Sequence, residues 1–232
     1  MTEEQSTGSD RSYGQRNPGW HREDAIFKAE EILHALQQHN WAPSSIVDLG
    51  CGSAEVVSEL GRRLDAPVAL TAWDPAPIEA TGPPTHPSVR RLSGPIPPAL
   101  DADLVLLLDV LEHLEHPESM LRVARDIAPK AIIRLPLELS ALDHIRPQRL
   151  RHAREVYGHL HHYTTKSALA LLRRSGWTVA HHDWVRIPWR PVTPWHRLTE
   201  QCRRLGVRWA PRLTVDILGG WSLLATCRRE DA

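Results

Sequence analysis

The sequence predicts an α/β fold, an open sandwich in which helices cover both faces of a mostly parallel β-sheet. Short apolar runs of strand length alternate with amphipathic helical segments along most of the chain. Some of these runs, such as 104–108, are apolar at every position, which is typical of parallel strands buried on both faces. The 232 residues suffice for one large domain.

The first half of the chain supplies the following elements. Apolar residues at helical spacing predict a helix over 23–40, and an apolar run closed by Gly50 predicts a strand over 45–50. Amphipathic spacing predicts a helix over 54–64, and another short apolar run predicts a strand over 68–73. Eight prolines between residues 75 and 98 exclude a long helix there, because each removes a backbone donor.

The second half continues the alternation. The run at 104–110 predicts a strand, a segment with Pro117 at its start predicts a helix, and Gly176 marks the end of another helix. The predicted elements are strand 104–110, helix 117–128, strand 131–135, helix 165–175, strand 178–185 and strand 221–227.

Two regions stand apart from this pattern. Residues 1–19 lack core-forming side chains, so we expect a disordered tail before a single domain over 20–232. Residues 186–220, before the last strand, contain three tryptophans, four prolines and seven arginines against two acidic residues. This insert is expected to be either a lid or a packing appendage.

Composition excludes several classes of protein. The 28 basic and 28 acidic residues cancel, which argues against binding to nucleic acid or to a membrane by long-range attraction. No apolar run approaches the length of a membrane span, and an acidic N-terminus without a hydrophobic segment disfavours a signal peptide. Three cysteines exclude a disulfide scaffold. We therefore expect a cytoplasmic protein.

A glycine motif lies where the first strand turns into a helix. Gly50 and Gly52 allow the backbone to approach a ligand closely, and the helix that follows presents free N–H groups. A dinucleotide site is disfavoured, because Glu55 stands at the third glycine position and would repel a pyrophosphate. Asp74, 22 positions beyond Gly52, is placed to accept hydrogen bonds from ribose hydroxyls.

The chain resembles the class I S-adenosylmethionine-dependent methyltransferases, and the resemblance lies in segments 47–52, 73–74 and 109–114. Segments 17–24 and 158–164 further resemble a small-molecule subgroup that opens with Asn-Pro-x-Trp-His. The resemblance implies a Rossmann-like, seven-stranded sheet with an antiparallel last strand, and S-adenosylmethionine over the carboxyl ends of its first strands. It implies cofactor contacts from Asp48, Gly50, Cys51, Gly52, Asp74, Ser93 and Asp109. Ser93 departs from the Asp that many relatives use for the adenine.

A second constellation combines Asp109, Glu112 and His113 with the downstream His159. It resembles the Glu-x-x-Glu-His arrangement with a distal His of the small-RNA 2′-O-methyltransferases and ubiquinone-biosynthesis O-methyltransferases, which bind a divalent metal. Such a metal would lower the pKa of a substrate hydroxyl. In the alternative interpretation, Glu112 and His113 orient the pocket while His159 acts alone.

Five polar aromatic residues crowd into segment 157–163. A histidine at 159 or 161 is a candidate general base, since imidazole titrates near neutral pH. The predicted catalytic residues are His159, His161, Glu112 and His113.

Together these features predict methyl transfer from S-adenosylmethionine to a small molecule, most simply O-methylation of a sugar or secondary metabolite. Two alternatives stay open. The basic insert is compatible with an RNA-modifying enzyme, and Ser93 is compatible with an inactive subunit that binds cofactor or a partner.

Overall fold

The computed structural model describes residues 22–76, 86–145, 148–186 and 194–230. Its strands are β1 Ser45–Leu49, β2 Ala69–Asp74, β3 Val89–Ser93, β4 Leu104–Leu108, β5 Lys130–Leu137, β6 Trp177–Val185 and β7 Trp221–Arg229. They form one seven-stranded sheet in the order β3-β2-β1-β4-β5-β7-β6. β7 is antiparallel to both of its neighbours, and the other pairings are parallel. The predicted fold class is confirmed.

Helices cover both faces of this sheet. They are α1 Arg22–Gln38, α2 Glu55–Arg63, α3 Pro117–Ile127, α4 Ala141–Ile145, α5 Gln148–His152, α6 Thr165–Arg174, α7 Pro194–Trp209 and α8 Pro211–Leu218. A 3₁₀ turn spans Leu111–His113 and a π-helical turn spans Ala153–Tyr157. Helices α1 and α2 contribute to one core cluster, and α3 and α6 contribute to the other.

Strand β4 lies at the centre of the sheet and separates the two core clusters. All five of its residues are buried. Val105 and Leu107 join the cluster under α3 and α6, whereas Leu104, Leu106 and Leu108 join the cluster under α1 and α2. Burial on both faces accounts for the uninterrupted apolar run in the sequence. The strand ends two residues earlier than predicted, because Asp109 takes a left-handed conformation with φ 57°.

The insert contains two helices that the sequence analysis did not predict. Pro194 and Pro211 take the first positions of α7 and α8, where a missing N–H costs nothing. The predicted disordered tail, 1–19, lies outside the described residues. In the described part of the chain, no helix is long and apolar enough to cross a membrane.

Candidate functional site

The loop between β1 and α2 adopts left-handed backbone conformations at three positions. Gly50 has φ 75°, Gly52 has φ 53° and Ala54 has φ 60°. A Cβ atom on Gly50 would lie 2.7 Å from Val110 Cγ2, so this position excludes any side chain. A Cβ on Gly52 would meet nothing within 4 Å in the described part of the chain. The loop therefore leaves open space beside Gly52, which fits a ligand held against the backbone.

Asp74 joins this loop to the end of β2. Its Oδ2 accepts a hydrogen bond from the Gly52 N–H at 2.9 Å, and its Oδ1 accepts one from the Ala76 N–H at 3.0 Å. The two bonds fix the carboxylate at the carboxyl edge of the sheet. Ser93 is paired with Asp74 in the parallel register of β2 and β3, so it ends at the same edge. The arrangement fits the ribose and adenine side of the predicted cofactor.

Two further residues predicted to bind the cofactor lie away from bulk water to different degrees: Asp48 is buried and Cys51 is half-buried. Burial raises the pKa of Asp48 to about 7, against the opposing positive charge of Lys28. Burial, together with the negative charges of Asp48 and Asp74, also raises the pKa of the Cys51 thiol. The thiol therefore stays protonated at neutral pH, and its contact with the cofactor stays a prediction.

Asp109 is held by two buried cations. Lys28 Nζ of α1 lies 2.8 Å from Asp109 Oδ2, and Arg134 of β5 donates to Asp109 Oδ1 at 2.7 Å. Arg134 also pairs with Glu31 of α1, at 3.2 Å. The network ties α1 to the ends of β4 and β5. Among the described residues, Asp109 belongs to neither group of side chains close enough to share a metal ion.

Segment 158–164 lies beside the ends of β4 and β5 and forms backbone contacts with the chain at both. The N–H groups of Leu160 and His161 donate to the Glu112 carbonyl oxygen at 2.8 and 3.1 Å. On the other side, Tyr163 forms a bridge with Leu137, and its carbonyl accepts from the Leu139 N–H at 3.1 Å. These backbone contacts position the histidines at the carboxyl edge of the sheet. A capping box at the start of α6 anchors the end of the segment.

Glu138 brings two of these histidines together. Its Oε2 accepts hydrogen bonds from His159 Nδ1 at 2.9 Å and from His162 Nδ1 at 2.7 Å. Burial alone would raise the pKa of Glu138, but the hydrogen bonds and charges of the two rings outweigh it and lower the pKa. A carboxylate only accepts, so both Nδ1 atoms carry hydrogen and each Nε2 is left as an acceptor when its ring is neutral.

Glu112, His113 and His159 form a second group that shares His159 with the first. One ligand atom from each lies within 4.8 Å of the others. Neither Glu112 carboxylate oxygen has a hydrogen-bond partner among the described residues. Burial, reinforced by the negative charges of Asp109 and Glu138, raises the pKa of Glu112 well above its ordinary value. Such a mixed nitrogen and oxygen donor set fits a divalent cation. Without a cation, the raised pKa means that Glu112 is a neutral carboxyl group.

His113 is neutral at physiological pH. Burial lowers its pKa to about 4, and the neighbouring His159, 4.9 Å away between ring centroids, adds to the effect. His161 joins neither group: its ring lies 6.2 Å from that of Tyr163. The structure therefore brings three of the four predicted catalytic residues together. Residues 17–21 of the segment that resembles the small-molecule subgroup lie outside the described residues.

Glu138 is the functional residue that sequence reasoning missed. It directly follows the buried strand β5, as Asp74 ends β2. An acidic residue at the carboxyl end of a buried parallel strand was therefore the available signal.

Comparison with known proteins places this geometry in context. A family model described as "Methyltransferase domain" matches residues 20–182. No curated protein matches the chain. Similar solved structures include magnesium protoporphyrin IX methyltransferase from Synechocystis PCC 6803, which contains bound SAH. The two chains are 13% identical, the match covers 88% of this chain and 83% of that one, and the TM-score is 0.56.

Two further structures share the fold over nearly the whole chain. A chain of the complex that contains the Haloferax volcanii Trm112 methyltransferase activator has 14% identity, 96% coverage of both chains and a TM-score of 0.63. The plantazolicin methyltransferase, solved with a monoazolic substrate analogue and SAH, has 15% identity, covers 95% of this chain and 88% of its own, and gives a TM-score of 0.55. At such identities the likeness concerns the fold.

Proposed function

The chain belongs to the methyltransferase-domain family of class I S-adenosylmethionine-dependent enzymes, and from that premise we propose that it methylates an oxygen of a small molecule, such as a sugar or a secondary metabolite. The observation that carries the proposal is the pair of histidines on Glu138, at the same edge of the sheet as the glycine loop. A hydroxyl acceptor needs a base to take its proton, and this pair supplies one.

The glycine loop and Asp74 would hold the donor. The open space beside Gly52 admits the methionine portion along the backbone, and the Asp74 carboxylate, already oriented by Gly52 and Ala76, would accept from the ribose hydroxyls. Ser93 would lie toward the adenine, and Asp48 beneath the loop. When bound, S-adenosylmethionine supplies a methyl group on an activated sulfonium, so the protein contributes chiefly by positioning.

His159 would act as the base. Its Nδ1 hydrogen is held by Glu138, so its Nε2 is the atom that accepts the proton of the acceptor hydroxyl. The positive charge that forms on the ring would be stabilised by the Glu138 carboxylate, as in other carboxylate–histidine pairs. Proton loss leaves the acceptor oxygen nucleophilic while the loop and the histidine hold the reacting groups in place.

A metal-assisted route is a second candidate, favoured by the buried carboxylate of Glu112, which accepts no hydrogen bond from the described residues. Glu112, His113 and His159 would hold the ion, which would lower the pKa of the acceptor hydroxyl. Glu112→Gln separates the two routes. If Glu112 is a neutral carboxyl beside a histidine base, the isosteric amide retains most of the activity. If Glu112 is a metal ligand, the variant loses activity and EDTA abolishes the activity of the unmodified chain.

A labelling experiment tests the class of acceptor. The protein is incubated with methyl-tritiated S-adenosylmethionine and, separately, with the low-mass metabolite fraction and the total RNA of one cell extract. The proposal predicts label in the low-mass fraction, at least tenfold less with His159→Ala. Label confined to RNA would favour the RNA-modifying alternative. If S-adenosylhomocysteine binds but no fraction is labelled, the inactive-subunit alternative leads.

A further inference from the structure

Helices α7 and α8 expose large apolar side chains to solvent. The exposed fractions are 63% for Leu205, 87% for Trp209, 59% for Leu213 and 43% for Ile217. Leu205 and Trp209 are four residues apart on α7, and Leu213 and Ile217 are four apart on α8, so each pair shares a helix face. Such a set exceeds the scattered exposed residues normal for a soluble protein.

Arginines are interleaved with this apolar set at the same spacing. Arg204, Arg208 and Arg212 directly precede Leu205, Trp209 and Leu213, and all three arginines are exposed. Of the two acidic residues in 186–220, Glu200 is already engaged by Arg186 and Arg204, and Asp216 is exposed on α8 beside Ile217. Although the whole chain is neutral, residues 186–220 contain seven arginines against two acidic residues. The α7–α8 pair therefore combines exposed apolar side chains with a local positive charge.

The inner side of the pair is anchored to the protein. The two helices meet closely at Gly206, where a Cβ atom would lie 2.5 Å from Thr214 Oγ1. Val215 of α8 is buried in the core cluster under α3 and α6, and Val207 of α7 packs against that cluster. The apolar and cationic side chains of the outer side thus belong to a fixed element of the fold.

We propose that the α7–α8 pair docks on the surface of an anionic lipid bilayer. An interfacial helix buries leucine and tryptophan at the boundary between headgroups and acyl chains, while arginines extend along the apolar surface to reach lipid phosphates. Trp209, the most exposed of the set, has the amphipathic ring that favours this boundary. The protein lies on the bilayer without spanning it.

Charge favours a membrane over the other occupants of such a surface. A second copy of the chain, related by twofold symmetry, would bring two sets of arginines together. A nucleic acid would neutralise the arginines but would leave the aliphatic side chains of Leu213 and Ile217 without an apolar partner. An anionic bilayer satisfies both features at once.

Docking in this way would bring the bilayer to the end of the sheet that carries Glu138. Gly219, which directly follows α8, approaches Ser140 and the start of α4, just beyond Glu138: a Cβ atom there would lie 2.7 Å from Ser140 Oγ and 2.8 Å from Asp143 Oδ2. The inference goes beyond the proposed reaction, and its test does not require activity.

Vesicle flotation tests the proposal directly. The full chain is mixed with vesicles of phosphatidylcholine alone or with 30% phosphatidylglycerol, at low and at high salt. We expect flotation with the anionic vesicles, weakened by salt. Trp209→Ser combined with Leu213→Ser should lower the partition coefficient at least tenfold, and Arg208→Gln combined with Arg212→Gln should lower it by about tenfold or more.

The controls change exposed residues elsewhere on the protein. Ile26→Ser with Phe27→Ser changes an exposed apolar pair on α1, and Arg122→Gln with Arg151→Gln changes two exposed arginines; both should float like the unmodified chain. Circular dichroism melts confirm that every variant folds. Absence of flotation with anionic vesicles overturns the proposal, as does loss of flotation in the controls alone. A dimer in sedimentation velocity that Trp209→Ser dissociates, or salt-sensitive RNA binding without flotation, would assign the surface to those partners instead.

Discussion

Replacement of Asp74 by alanine tests the assignment of the cofactor site. The carboxylate accepts hydrogen bonds from the Gly52 and Ala76 N–H groups, at 2.9 and 3.0 Å, and is proposed to accept from the ribose hydroxyls of the cofactor. A hydrogen bond to a charged group contributes about 1.5–3 kcal/mol. Loss of one such bond to the ligand should therefore raise the dissociation constant of S-adenosylhomocysteine roughly 10- to 100-fold.

Isothermal titration calorimetry with S-adenosylhomocysteine measures the effect, and a thermal melt separates it from unfolding. Asp101→Ala is the matched control, because Asp101 is exposed and lies before β4, at the opposite edge of the sheet. It should bind as tightly as the unmodified chain. An unchanged dissociation constant in Asp74→Ala, with a melt that shows the variant folded, would refute the placement of the ribose at the end of β2.

Three further predictions concern the loop, the buried acid and the base. Gly50→Ala should lower the free energy of unfolding by about 2–4 kcal/mol, since its Cβ would overlap Val110 and its φ is 75°; an unchanged urea midpoint would contradict this. Asp48, with a pKa near 7, keeps a proton that the unfolded chain loses near pH 4, so stability should fall as pH rises from about 4 through 7. In urea unfolding at pH 5 and 8, Asp48→Asn should show a smaller fall; an equal fall would exclude Asp48 as the cause. His159→Ala should bind S-adenosylhomocysteine normally yet abolish methyl transfer, and Glu138→Gln should reduce transfer at least tenfold; full labelling in either variant would remove that residue from the mechanism.

The fold was predictable because its strongest signals are local. Strand β4 is buried on both faces, so every one of its residues must be apolar. The loop after β1 is left-handed at Gly50 and Gly52, a conformation that favours glycine. The insert was harder to interpret. It was expected to be a lid or a packing appendage and no helix was predicted in it, yet Pro194 and Pro211 begin helices, a position that proline tolerates.

The site was predictable in part, because some of its contacts join residues far apart in the chain. Asp109 and Glu112 were predicted to belong to one metal-binding constellation. Asp109 instead is left-handed and binds Lys28 and Arg134, neither of which a local motif identifies. Glu138 lies 21 residues from His159, and backbone contacts of Leu137 and Leu139 with Tyr163 bring their surroundings together. Long-range pairing of this kind is decided by the fold and not by local spacing.

The most direct test of the central claim is a calorimetric titration of the full chain with S-adenosylhomocysteine, run with and without EDTA and compared with NADH. We expect a dissociation constant on the order of micromolar for S-adenosylhomocysteine, unchanged by EDTA, and no binding of NADH, because Glu55 opposes a pyrophosphate at the helix start. Loss of binding in EDTA would show that a metal organises the site. Absence of S-adenosylhomocysteine binding under every condition, or preferential binding of NADH, would contradict the assignment of this site to methyl transfer.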